Sequence, residues 1–401
     1  MTDSKMRTKP LAIVMGRNYT SRLGMIRAAG MAGCDVVAIQ TDHKRSKLGT
    51  IDDKSKYVVR SMYAPEPSRQ LLIESIQSCK RQQDAKPILL PTDDYTAATI
   101  DMYLETLRND FFLPNVHGEQ GAVVRLMDKS FQKRIAKETG LKVAKEWICK
   151  WGNGSYLIPE DITYPCFTKP QLSSQGHLKS YQKKCIGRKE LEAVLTSVAS
   201  FFHGPILVEE YHDISREYAV VGLSLEKQTI MPSIIQMNTS YHGITATGSL
   251  LPITSVPSLK EHLSTFMQMT GLVGLFDIDL YESNGEVYFN ELNVRFGANG
   301  FALTYSHANL PGLYIEWVLH HAINELPSAL SRPLTFSNEN ILRQMYLEGL
   351  LSWSAYQTSC KEGDQHAICH PEDIVPYKLF TRTDLILPLW KILKQLKKRL
   401  S

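Results

Sequence analysis

No stretch of this sequence stays apolar long enough to cross a bilayer, and its opening, Met1-Thr-Asp-Ser-Lys, is too polar for the core of a secretory leader. A cytoplasmic protein without membrane spans is the expectation. Cysteine is sparse and unpatterned: seven residues (Cys34, Cys79, Cys149, Cys166, Cys185, Cys360 and Cys369) lie scattered through 401. An odd, dispersed set in a chain this large argues against a disulfide framework and for a reducing compartment. Cys360, His366, Cys369 and His370 are zinc-compatible types, but they lack the paired CxxC spacing of a structural zinc site. Charge bias is missing too. With 45 basic and 41 acidic side chains and a net charge of +4, nothing calls for a nucleic-acid partner, although small anions would be welcome. Internal repeats and low-complexity tracts are absent.

What is present is enough sequence for two or three subdomains. Leu11-Ala-Ile-Val-Met, Asp35-Val-Val-Ala-Ile-Gln and Pro87-Ile-Leu-Leu-Pro are continuous apolar runs, the pattern of strands buried on both faces of a parallel sheet. Helical spacing follows the first, and a helix is expected over 68–81. Residues 1–116 therefore read as a doubly wound α/β domain, with Thr92, Asp93 and Asp94 at the strand end where such sheets bind ligands. Gly16-Arg-Asn-Tyr-Thr-Ser-Arg lacks the spacing of a dinucleotide fingerprint. Two helical segments ending at Gly140 open the next region, 117–325, which turns strand-rich and largely antiparallel from Tyr164 onward. A smaller lobe is expected over about 160–212, and residues 326–401 read as a C-terminal extension.

Several side chains in the second region carry chemistry. Phe276-Asp-Ile-Asp279-Leu-Tyr and Glu286-Val-Tyr-Phe-Asn-Glu291-Leu-Asn293-Val-Arg295 form a hairpin. With a three-residue loop, Ser283-Asn284-Gly285, the side chains of Asp277, Asp279, Glu291 and Asn293 share one face; with a two-residue Asn284-Gly285 turn, the two strands' carboxylates fall on opposite faces. The longer loop is the expectation. Like charges opposed across strands need a cation between them, and the all-oxygen set of Asp279, Glu291 and Asn293 suits Mg2+, or Mn2+. Lys169 ends the apolar run Pro165-Cys-Phe-Thr-Lys169-Pro170, just before the polar stretch 172–179, where a lysine and free backbone N–H groups can hold a phosphate. Arg295 lies just past the acidic face, where a guanidinium suits a carboxylate or a developing oxyanion.

Taken together, Asp128-Lys129…Gly140, Phe167-Thr-Lys169-Pro170, Val208-Glu209-Glu210-Tyr211, Arg216-Glu217 and Glu291-Leu-Asn293-Val-Arg295 resemble the ATP-grasp superfamily over roughly residues 118–325. The resemblance falls within its carboxylate-amine ligase branch, nearest the D-aspartate ligase group. It implies a two-lobed α+β ATP-grasp domain behind the N-terminal α/β domain. ATP would be held by Lys129 and Lys169, by Glu209 or Glu210 at adenine and by Glu217 at ribose, with metal on Asp279, Glu291 and Asn293 and Arg295 in the catalytic role. The loop after Lys169 departs from the family's glycine-rich pattern, offering only Gly176. The implied reaction activates a small carboxylate as an acyl phosphate and joins it to an amine, with an amino acid as one substrate. A carboxylating or phosphorylating enzyme and a non-catalytic nucleotide-binding regulator are the alternatives. Thr304, Ser306, His307 and Asn309 are weaker candidates for an acceptor pocket. The basic amphipathic segment 389–400 can lie on an acidic membrane or pack as a closing helix, packing being favoured, and a homodimer is left open.

Overall fold

The architecture comes from a computed structural model that describes residues 9–43, 50–80, 86–172, 180–256, 258–328 and 330–388. Leu11–Gly16, buried along its whole length, pairs in parallel with Asp35–Gln40 on one side and Ile88–Pro91 on the other, and Val58–Tyr63 closes the four-stranded sheet. Burial on both faces is why these three apolar runs carry no polar alternation. The helix expected over 68–81 spans Arg69–Gln77, with the Ser68 hydroxyl accepting from the Leu71 N–H. At the far end of the sheet Asp93 caps the helix Asp94–Met102 by accepting from the Thr96 N–H at 2.8 Å. Asp94 therefore opens that helix at the ligand-binding end of the sheet.

The next region has two sheets. A five-stranded one runs, in spatial order, Lys184–Cys185, Cys166–Pro170, Ile206–Glu210, Glu146–Gly152, Ser155–Leu157. The smaller lobe thus takes in strands from 146 onward, upstream of the expected 160. The helix Arg188–Ala199 covers it, burying Leu191, Val194, Leu195 and Val198. The larger, mostly antiparallel sheet has Arg216–Ser224, Leu272–Ser283 and Glu286–Asn293 at its centre. Between the sheets lies the helix Lys129–Glu138. Its Asp128 cap accepts from the Ser130 and Phe131 N–H groups. Its buried Gln132 donates to the carbonyls of Leu126 and Leu292 and accepts from the Leu292 N–H. An amide spanning 160 residues of sequence fixes this helix on the strand that carries Glu291.

The region expected as an extension is built into the body. Leu334–Ser337 joins the large sheet beside Ile244–Pro252, because an edge strand with a row of open backbone groups favours a further partner. Arg27, fully buried in the helix Tyr19–Met31, bonds Asp373 Oδ2 through Nε at 2.9 Å and the carbonyls of Ile368 and Asp373 through Nη2 at 2.9 and 2.8 Å. The basic segment 389–400 lies outside the described residues, among which no helix is long and apolar enough to cross a membrane. Removing one partner of a buried ion pair leaves the other charge uncompensated. Arg27→Ala should therefore lower the unfolding free energy by about 3–5 kcal/mol in urea titration. Arg332→Ala, which breaks an exposed pair with Asp364, should cost less than about 1 kcal/mol.

Candidate active site

The hairpin differs from expectation in an instructive way. Ser283 pairs with Glu286, so Asn284 and Gly285 form a two-residue turn, with φ of 52° and 77° at the two positions. Positive φ at both central residues matches the right-handed twist of the strands and favours Asn-Gly. A plain ladder continued from that turn would set Asp279 against Asn290 and put Glu291 on the opposite face. The ladder is not plain. Leu280 pairs with Phe289 but Asp279 pairs with Glu291, so Asn290 is the extra residue of a β-bulge. The bulge supplies the odd residue that the turn lacks. Asp279 therefore faces Glu291 and Asp277 faces Asn293, and the four side chains share one face despite the short turn.

This face is crowded with negative charge. Burial pushes the Asp277 carboxyl up to about 6; Arg295 pulls it back, while Glu291 and Asp94 push further. Asp279 is raised well above the usual carboxylate range by burial and then by Asp277 and Glu291. Gly297 lets the chain pass against this corner, since a Cβ there would lie 2.0 Å from Asp277 Oδ2. Asn293 donates from Nδ2 to Asp279 Oδ2 at 3.1 Å and accepts at Oδ1 from Arg295 Nη2 at 3.2 Å. Arg295 in turn donates from Nε to Asp94 Oδ1 at 3.0 Å. Burial disfavours its charge, but Asp94, then Asp277 and Asp279, keep it protonated above its usual range.

Opposite the acids stand lysines. Lys129, only 6% exposed, forms an ion pair with Glu291, which holds its ammonium charged against the pull of burial. Lys169 Nζ lies 2.6 Å from Glu209 Oε2 and donates to Asn290 Oδ1 at 2.7 Å, so the bulge residue ties the small lobe to the strand that carries Glu291. Burial, with Lys133 and Lys129 nearby, lowers its pKa although Glu209 opposes the shift. Glu209, 4% exposed, also accepts from Lys133 Nζ at 2.5 Å. Burial alone would raise its carboxyl, yet Lys169 and Lys133 bring it down to about 2. Glu210 points the other way, exposed, with His212 Nε2 at 3.6 Å, as alternation along a strand requires.

The oxygen donors fit a hard divalent cation. They are carboxylates and an amide on one face, and Asp277 Oδ1 is buried without a hydrogen-bond partner among the described residues. Among those residues, no three His, Cys, Asp or Glu side chains already converge to hold a metal ion. Glu291 leans to Lys129 and Asn293 to Arg295, so both contacts must open for an ion to be gripped.

Glu217 stands half-buried beside these groups, with Ser240 Oγ at 3.4 Å from its Oε2. Residues 173–179, the expected phosphate loop, lie outside the described residues. The weaker acceptor-pocket candidates also make contacts within the fold. Thr304 and Ser306 bond carbonyls one turn back in their helix, His307 Nε2 meets Ser233 Oγ at 2.9 Å, and Asn309 caps the helix Leu310–His320. Two residues of the candidate site, Lys133 and Asn290, are not picked out by the sequence, and Asp94, placed by it at a strand end, is not paired there with Arg295. Lys133 lies four residues after Lys129 on one helix face, a spacing that could flag it; the contacts of Asn290 and Asp94 exist only in the folded chain.

Glu209 titrates far below its ordinary 4.5. A depressed folded-state pKa gives stability that is complete above the unfolded value and is lost as pH falls through the folded one. Urea unfolding of the parent and Glu209→Gln should thus differ most above pH 4.5, with the gap closing between there and pH 2.

No family model matches the chain. Among curated proteins, formate-dependent phosphoribosylglycinamide formyltransferase from a Nitratiruptor species is 27% identical over 206 residues, 50% of this chain and 51% of that protein. Its namesake from Bacillus velezensis is 23% identical over 348 residues, 83% of this chain and 86% of that protein. The chain thus spans about half the length of the first relative. Among solved structures, N5-carboxyaminoimidazole synthetase from Staphylococcus aureus matches with a TM-score of 0.62 at 16% identity, covering 87% of this chain and 88% of that one. The same enzyme has been solved complexed with ADP. L-amino acid ligase from Bacillus licheniformis matches with a TM-score of 0.58 at 16% identity, covering 82% and 79% of the two chains. The chain thus shares the fold of these enzymes, in keeping with the ATP-grasp resemblance of its motifs.

Proposed function

We propose that this chain is an ATP-dependent ligase that joins a small carboxylate to an amine through an acyl phosphate, releasing ADP. One observation carries the reading above the others. The Asn290 bulge gathers Asp277, Asp279, Glu291 and Asn293 on a single face, with Lys129 and Lys169 against it and Arg295 at its border. Phosphoryl transfer needs positioned positive charge more than a protein nucleophile. Lys129 and Lys169 supply that charge once ATP phosphates displace Glu291 and Glu209 from them. Glu209 keeps Lys169 and Lys133 together at the hinge between the lobes. A magnesium ion held by Asp279, Glu291 and Asn293 would neutralise the phosphate oxygens.

In the first step a carboxylate oxygen of the substrate attacks the γ-phosphorus and the bond to the β,γ-bridging oxygen breaks. In the second the amine nitrogen attacks the acyl carbon, phosphate leaves, and the nitrogen gives up a proton. Arg295 binds the carboxylate and then the oxyanion on the acyl carbon. Lobe closure excludes water, which would hydrolyse the acyl phosphate. The formyltransferases named above are formate-dependent and one of the solved neighbours is an L-amino acid ligase, and we place this chain's carboxylate in that small class, with an amino acid as one substrate. A cytoplasmic setting belongs to the proposal, supported by seven cysteines that are all free thiols.

Glu291→Gln should cut ATP turnover by roughly 10²-fold or more; an unchanged rate would sink the metal-face assignment. Arg295→Ala should keep nucleotide binding, read by titration calorimetry, and lose amide product. Phosphate release from ATP across paired amino acids and small carboxylates, with mass analysis of products, tests the reaction itself. Turnover that depends on bicarbonate without an amine product would favour a carboxylating enzyme instead.

A further inference from the structure

We propose that Asp94, in the N-terminal domain, is the positioning residue for Arg295, so that the ligation half of the reaction depends on a side chain outside the ATP-binding lobes. The inference rests on the ligase reading above. Asp94 and Arg295 are 201 positions apart, and they meet with Nε 3.0 Å from Oδ1, each side chain 21% exposed. The carboxylate of Asp94 has no local duty. Its neighbour Asp93 does the capping, accepting from the Thr96 N–H and hydroxyl and also from the Arg17 N–H. Asp94 sits in the first turn of the helix Asp94–Met102.

The geometry is that of a two-point clamp. Arg295 donates from Nε to Asp94 and from Nη2 to Asn293 Oδ1. Two bonds in the plane of a rigid fork set the orientation of the whole guanidinium. Nη1 has no partner among the described residues and remains the donor available to a substrate oxygen. Asn293 passes the constraint on, donating to Asp279 Oδ2. One chain of contacts thus runs from the N-terminal domain through the arginine to the metal face. Without Asp94 the guanidinium keeps a single tether, and small misplacement of a substrate-orienting group costs rate steeply.

Three variants and two kinds of readout test this. Asp94→Asn keeps the shape and removes the charge, and should lower kcat/KM for the carboxylate substrate by roughly 10- to 100-fold while the ATP dissociation constant stays within about twofold of the parent. Asp94→Glu, which retains the carboxylate, should recover part of that loss. In an Arg295→Ala background Asp94→Asn should cause no further loss, because Asp94 acts through the arginine. Independently of turnover, an arginine-selective dicarbonyl reagent should modify Arg295, followed by peptide mass analysis, faster in Asp94→Asn than in the parent. Parent-like kinetics and parent-like labelling in Asp94→Asn overturn the proposal, as does an equal loss in the Arg295→Ala background. Absence of ligation by the parent chain over the whole substrate panel would instead overturn the ligase reading, leaving the labelling result to decide the clamp by itself.

Discussion

Buried charge must be matched, and the interior of this site is organised by that requirement. Glu209 is held between Lys133 and Lys169, Glu291 against Lys129, and Arg295 among Asp94, Asp277 and Asp279. Three of these pairings, Lys133 with Glu209, Lys129 with Glu291 and Asp94 with Arg295, cross a boundary of the fold. Lys133 and Lys129 come from the helix between the lobes, Glu209 and Lys169 from the small lobe, Glu291 from the large sheet, and Asp94 from the N-terminal domain. The proposed reaction would require these same contacts to open as phosphates and an ion bind.

The β-bulge at Asn290 makes this possible at small cost. A tight Asn-Gly turn is the best-formed connection for two twisted strands, but its two residues set the wrong parity for the acids. One inserted residue between Phe289 and Glu291 corrects the parity at the position where function needs it and leaves the outer hairpin regular. Asn290 also has a second role, since its side chain meets Lys169 of the opposite lobe. A local irregularity thereby serves both register and lobe contact.

The peripheral regions are bound into this arrangement. Arg27 anchors the N-terminal domain to the backbone and carboxylate near Asp373, and Leu334–Ser337 extends the large sheet. With both ends of the described chain fastened to the central body, Asp94 at a helix start meets Arg295 two residues past a strand end.

The apolar runs at 11–15, 35–40 and 87–91 determined a parallel sheet by themselves, because a strand buried on both faces needs no polar alternation. The spacing of Asp279, Glu291, Asn293 and Arg295 likewise declared an acidic hairpin that ends in a cation, and Lys129 and Lys169 were legible from their places beside a helix start and a strand end. Residue types allow either turn length, because the register depends on the ladder beyond it. Adjacency does not decide which of Glu209 and Glu210 turns inward; Lys133 and Lys169 do. The Lys133 pairing, the Asn290 bulge and the Asp94 clamp were decided by tertiary structure alone. Each joins residues distant in the chain, and no local preference of either partner encodes where the other will be.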